Sequence, residues 1–259
     1  MDRALCPVLV GREHELSLLE DALLAAHRGG GQVVVIGGEA GVGKTRLAME
    51  LQVRARRAGT AVMVGTTSEA DVALPYLPFI EAIGNYLVGA DLDRIKLQLG
   101  AATCRQLGQL LPQFELQTTL IDPGEPTQAK MRLYEAILAF LRLAAERTGL
   151  LLLLEDLHWA DPSTRELLEY IARRLRRRSR ILLLATYRND ELNRRHPLRP
   201  LIQGWQRSGI ARSSTCSRYR LAAWLAWSVP SSTMHRSRPT SVIFCTSEPK
   251  ATPSSSRSC

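Results

Sequence analysis

The sequence predicts an α/β fold, a parallel sheet between helical layers, and three observations carry that prediction. Short runs of Val, Ile and Leu without polar alternation recur between residues 32 and 186. Stretches of apolar residues at helical spacing separate them, and a glycine-rich turn joins the first run to the helix that follows. Strands that lack alternation are buried on both faces, and helices between them make the crossovers of a doubly wound sheet.

The elements follow in order. Leu16, Leu19, Leu23 and Leu24 repeat at helical spacing until Gly29-Gly30-Gly31 ends the pattern. Residues 32–36, Gln-Val-Val-Val-Ile, form a β-branched strand stopped by Gly37-Gly38. A helix is expected over 44–58 and a second strand over 61–64. Residues 76–111 read as helical pieces broken by Pro75, Pro78, Gly84, Gly89 and Gly100, and residues 122–126 as a loop. The most regular helical pattern runs over 128–147, and the five leucines 150–154 give a third buried strand. Asp161-Pro162 opens another helix, with a capping carboxylate and a proline at its first position. Residues 181–186 are the fourth strand. There is no internal repeat.

The composition bounds the function. The 259 residues are 45% apolar and 5% aromatic, which excludes a wholly disordered chain. No apolar run approaches the ~20 residues a membrane-spanning helix needs, and the charged N-terminus lacks a signal-like apolar segment, so the expected compartment is the cytoplasm. The net charge is +9, but residues 1–207 hold 27 basic and 24 acidic side chains, whereas 208–259 hold 7 and 1. The basic surplus therefore sits mostly in a segment without periodicity, which weakens the nucleic-acid reading it would otherwise invite. Five histidines and five cysteines in no metal-ligand spacing give no expectation of zinc.

The chemistry begins at the glycine-rich turn. Gly38-Glu39-Ala40-Gly41-Val42-Gly43-Lys44-Thr45 has the P-loop spacing and lies between a strand and a helix start, the context the motif requires. Glycines let successive N–H groups converge on a β-phosphate, the helix N-terminus adds its positive end, Lys44 neutralises β- and γ-oxygens, and the Thr45 hydroxyl is placed for magnesium. The third strand delivers Glu155 and Asp156 at its C-terminal end, where ligands sit in open α/β sheets. One carboxylate is expected to hold the magnesium and the other to orient or deprotonate the attacking water. By register Glu155 takes the metal position and Asp156 the base position, with the reverse also open. The fourth strand ends at Tyr187-Arg188, which places a guanidinium at the same sheet edge to fork onto a γ-phosphate. His158 and Trp159 adjoin the acidic pair, and packing is the simpler role for them. The arginines between 173 and 180 close a helix, where cations complement its dipole.

Val10-Gly11-Arg12-Glu13, the P-loop continued through Arg46, Leu-Glu-Asp-Leu-His-Trp-Ala-Asp-Pro-Ser over 154–163, and Ala-Thr-Tyr-Arg over 185–188 together resemble one family. It is the STAND branch of AAA-type ATPases, in particular the origin-recognition-like module of large ATP-binding LuxR-type regulators. The likeness covers residues 8–207. It implies a P-loop NTPase three-layer sandwich with a parallel sheet of ASCE/AAA type in the strand order 5-1-4-3-2. It also implies that Val10, Gly11 and Arg12 line an adenine pocket, that Arg188 senses the γ-phosphate, and that ATP/ADP with Mg2+ is a slowly hydrolysed signalling switch. The Asn-Lys-x-Asp pattern of GTPases does not follow the P-loop. The family's lid and C-terminal helix-turn-helix have no counterpart here, so DNA contact is not expected of this chain, while a protein partner or self-association through the module is.

Beyond Arg212 the family pattern gives way to Ser, Arg, Pro and Cys; 14 of the 18 serines lie in the last 52 residues. The chain uses 30 Arg against 4 Lys, the bias of a GC-rich gene. Codons can be chosen for residues 246–259 so that the frame starting at the third base of codon 246 reads ERTEGNPVFVEEL, a string resembling the segment STAND regulators carry at this point. The expected organisation is therefore a truncated ATP-binding domain, 1–207, lacking its last strand and lid, followed by a disordered frameshifted tail, 208–259. With the outer edge of the P-loop strand uncovered, such a chain would be prone to aggregate. Two functions fit: a nucleotide-dependent switch module of a signalling or transcription regulator, or a free-standing or DNA-associated AAA ATPase.

Overall fold

Among the described residues every strand is short and parallel to its neighbours, and four of the five are nearly devoid of polar side chains. The computed structural model describes residues 11–71, 73–115, 126–175 and 179–216. Five strands, β1 (Gln32–Gly38), β2 (Ala61–Thr66), β3 (Leu150–Glu155), β4 (Ile181–Arg188) and β5 (Ala211–Cys216), form one sheet in the order β2-β3-β4-β1-β5. All four pairings are parallel. The helices are α1 (Glu13–His27), α2 (Lys44–Arg57), α3 (Leu77–Leu87), α4 (Leu92–Leu107), α5 (Pro126–Ala145), α6 (Pro162–Leu175) and α7 (Leu198–Arg207).

Side chains that alternate along β1 to β4 feed two separate cores. Val34, Ile36, Val62, Leu151, Leu153, Leu182 and Leu184 pack against α1 and α2 on one face. Val33, Val35, Met63, Leu150, Leu152, Leu154, Leu183 and Ala185 pack against α3, α5, α6 and α7 on the other. With both faces apolar, alternation vanishes from the sequence, which is why the five leucines of β3 could be read as a central strand. This is the three-layer sandwich expected of a P-loop AAA-type domain. The chain breaks between α3 and α4 at Gly89, and Gly100 kinks α4 at φ 78°, but Pro78 sits in the first turn of α3 and Gly84 lies inside it, so neither breaks the helix as expected. The Asp161 cap is also as expected: Oδ1 accepts from the amides of Ser163 at 2.7 Å and Thr164 at 3.0 Å.

One expectation is overturned. The sheet does not lack its last strand: β5 pairs with β1 from Val33↔Ala211 to Gly38↔Cys216. Its polar sequence, Ala-Arg-Ser-Ser-Thr-Cys, carries no apolar pattern, so nothing in periodicity marks it. Its position comes from the corner before it. Helix α7 buries Leu198, Ile202 and Trp205, Gly209 turns at φ 61°, and the Ile210 amide donates to the Trp205 carbonyl at 2.8 Å. The chain then lies along β1 and completes its main-chain hydrogen bonds. The edge expected to template aggregation is covered. Residues 217–259, most of the predicted tail, lie outside the described residues, as do the 122–125 loop, Arg176 to Arg178 and Val10.

Candidate phosphate-binding site

The turn after β1 is shaped by positive φ angles that suit glycine: Gly41 at 72° and Gly43 at 98°. Gly43 is also the N-cap of α2, and no side chain caps that helix, so its first-turn amides face the loop. Lys44 is buried, and its ammonium donates to the carbonyls of Gly38 and Glu39, both at 2.9 Å. The loop thus holds a cation inside its own curl. Glu39, Ala40 and Gly41 are exposed around it, Thr45 is exposed at the helix start, and Arg46 follows in the first turn of α2.

Register brings the other groups to the same edge. Gly38 of β1 pairs with Arg188 of β4, and Leu154, one residue before Glu155, pairs with Ala185. Burial raises the Glu155 pKa above its ordinary value, Asp156 raises it further, and the Thr45 side chain offsets only part of this. Glu155 Oε1 is buried without a hydrogen-bond partner. Asp156 has left-handed backbone, φ 56° and ψ 38°, and its Oδ1 lies 3.8 Å from Arg188 Nε. A hydroxyl, an under-satisfied carboxylate oxygen and a second carboxylate are the hard oxygen donors magnesium takes, so the residues present fit that ion.

Arg12 is tied more firmly than its expected adenine-lining place implies. Its guanidinium donates to the Val42 carbonyl at 2.9 Å and pairs with Glu15 at 2.8 Å, fastening the start of α1 to the phosphate loop. The Gly11 amide donates to the Glu13 carboxylate at 3.2 Å.

Three supporting roles escaped the sequence reading. The Thr67 hydroxyl donates to the carbonyls of Asp156 at 2.7 Å and Glu155 at 3.2 Å, and the Thr186 hydroxyl accepts from the Asp156 amide at 3.1 Å. Together they hold the left-handed turn that aims Asp156. The signal available was a hydroxyl residue near the C-terminal end of each strand beside the acidic one. The third is His196. The Leu198 amide donates to its Nδ1 at 3.2 Å, so Nε2 carries the proton and donates to the His158 carbonyl at 3.0 Å. His158 itself is buried, as a packing role requires; burial lowers its pKa most, Asp156 opposes this, and Arg188 adds to it.

An uncharacterized protein of Rhizobium meliloti (strain 1021) is 25% identical over 236 residues, covering 74% of this chain and 20% of its own length. The chain thus spans about a fifth of the curated relative it matches. Among solved structures, the Aeropyrum pernix Orc1 protein in complex with DNA aligns over 85% of this chain and 49% of its own, at 19% identity and a TM-score of 0.44. Drosophila ORC bound to DNA aligns over 78% of this chain and 89% of its own, at 16% identity and a TM-score of 0.39. Among the described residues no helix is long and apolar enough to cross a membrane. Residues 8–184 match the family described as the AAA ATPase domain, so the chain belongs to that family of P-loop, ATP-binding ATPases.

Proposed function

We propose that the chain is a Mg·ATP-dependent switch module of a STAND-type signalling or transcription regulator, binding ATP and hydrolysing it slowly. The observation that carries the reading is the meeting of Lys44, the Glu155/Asp156 pair and Arg188 at the C-terminal ends of β1, β3 and β4, with Gly38 and Arg188 in register. In this reading the amides of Glu39 to Thr45 cradle the β-phosphate and Lys44 exchanges its two carbonyl partners for phosphate oxygens. Arg188 forks onto the γ-phosphate, and Val10, Gly11 and Arg12 border the adenine. Thr45 and one carboxylate would hold magnesium, which would supply further charge neutralisation on the phosphates. The other carboxylate orients the water and accepts its proton. Holding these groups around a triphosphate, rather than fast turnover, is what a switch needs.

The proposal includes the chain's organisation: an ATP-binding domain read over 1–207, with β5 added to its sheet, and a tail read from a shifted frame. Sequencing the gene and finding no intact downstream frame for the rest of the module would defeat the frameshift. Equilibrium binding of labelled ATP to the full chain and to Lys44→Ala tests the site. A loss of at least a hundredfold in Lys44→Ala is expected; folded chain that ignores adenine nucleotides in the presence of magnesium refutes the reading. Stimulation of ATP hydrolysis by DNA, with steep salt dependence, would instead favour the DNA-associated ATPase.

A further inference from the structure

Asp156 Oδ1 has two nearby donors, neither of which reaches it. Arg188 Nε stands at 3.8 Å and His158 Nδ1 at 3.9 Å, both beyond hydrogen-bonding distance. The His158 side chain is 1% exposed, and neither of its ring nitrogens has a hydrogen-bond partner. A buried polar ring left unsatisfied calls for an explanation. Packing fixes it in place, with the Trp159 ring at 5.2 Å, and the charged groups around it are Asp156, Arg188, Glu191 and Lys44. Its carbonyl accepts from His196 Nε2, and His196 Nδ1 in turn accepts from the amide of Leu198, the first residue of α7.

We propose that His158 is a positioning residue that takes over the Asp156 carboxylate when Arg188 leaves it for the γ-phosphate, and that the His158–His196 hydrogen bond carries this exchange to α7. The inference rests on the nucleotide reading above and adds the route by which the site reports its state. Triphosphate draws the guanidinium away from Asp156; diphosphate offers nothing to draw it. A neutral imidazole with its proton on Nδ1 needs to approach by only about 1 Å to hydrogen-bond the carboxylate that the guanidinium no longer neighbours. That shift moves the turn holding the His158 carbonyl, hence His196 and the start of α7, whose far end leads through Gly209 into β5. Two ligands that differ by one phosphate thereby select two arrangements of one bistable element.

The test uses the full chain with Mg2+ and either ADP or a non-hydrolysable ATP analogue. His158→Phe, which keeps the ring and removes the donor, should lower the ATP-to-ADP affinity ratio about tenfold, the effect of losing one hydrogen bond to a charged group. His158→Asn, whose amide restores a donor near Nδ1, should recover the ratio. His196→Phe should leave the ratio unchanged and erase the ATP–ADP difference in hydrogen exchange over α7. A wild-type ratio in His158→Phe, or His158→Asn behaving as His158→Phe, overturns the exchange at Asp156. Identical exchange over α7 with both nucleotides in the wild type overturns the route. If the Phe variant does not fold, the His158→Asn ratio and the His196→Phe exchange decide. Wild type that binds neither nucleotide refutes the nucleotide reading itself, which Lys44→Ala reveals by matching it.

Discussion

His27 shows a titrating group held in its neutral form. Its Nε2 lies 3.0 Å from the Thr60 hydroxyl, and burial first, then Arg180, lower its pKa. A histidine whose folded pKa is depressed adds stability that is present above its ordinary value near 6.5 and lost as pH falls through it, because the unfolded chain then binds the extra proton. Urea midpoints should therefore fall between pH 7.5 and 5.5, and less steeply in His27→Gln than in wild type. Glu155 behaves with the opposite sign. Its raised pKa means that stability is fully present below the ordinary carboxylate range and is lost as pH rises through the shifted value. Glu155→Gln should accordingly raise the Tm at pH 8, leave it unchanged at pH 4, and weaken magnesium-dependent ATP binding. The cost to stability is the signature of a side chain kept for its chemistry.

At the scale of elements, β3 dominates. Leu150, Leu151, Leu152, Leu153 and Leu154 are all fully buried, so Leu152→Ala should cost about 2–5 kcal/mol in chemical denaturation. Strand β2 and α3 meet as closely as a backbone allows: a β-carbon at Gly65 would collide with the Pro78 carbonyl. Gly65→Ala is expected to lower the Tm and slow accumulation of soluble protein. The same packing explains what the sequence discloses. Strands β1 to β4 were legible because burial on both faces removes polar residues from them, and the P-loop was legible because only glycines at set spacing make that turn. Helix α7 and strand β5 were not, since a short helix with two prolines at its start and a polar strand owe their conformation to the Trp205 anchor and the β1 edge. Lys44, Glu155, Asp156 and Arg188 could be nominated from motifs. Thr67, Thr186 and His196 serve backbone groups of another segment, and only the tertiary structure brings those groups to them.

For the whole molecule, the covered edge of β1 sets where the chain can be cut. A chain ended after residue 210 loses β5 and exposes the main-chain amides and carbonyls of the P-loop strand, whereas one ended after residue 219 keeps them paired. Size-exclusion chromatography should show the shorter chain shifted into high-mass species with a lower Tm, and the longer one eluting and melting as a folded domain. Strand β5 also bears on evolution and error. Its ladder recognises peptide groups, which every residue but proline supplies in full, and it asks almost nothing of side chains. A border seat of this kind can be filled by nearly any stretch of polypeptide that a well-anchored corner delivers, so coding changes downstream of that corner are the ones this architecture absorbs most readily.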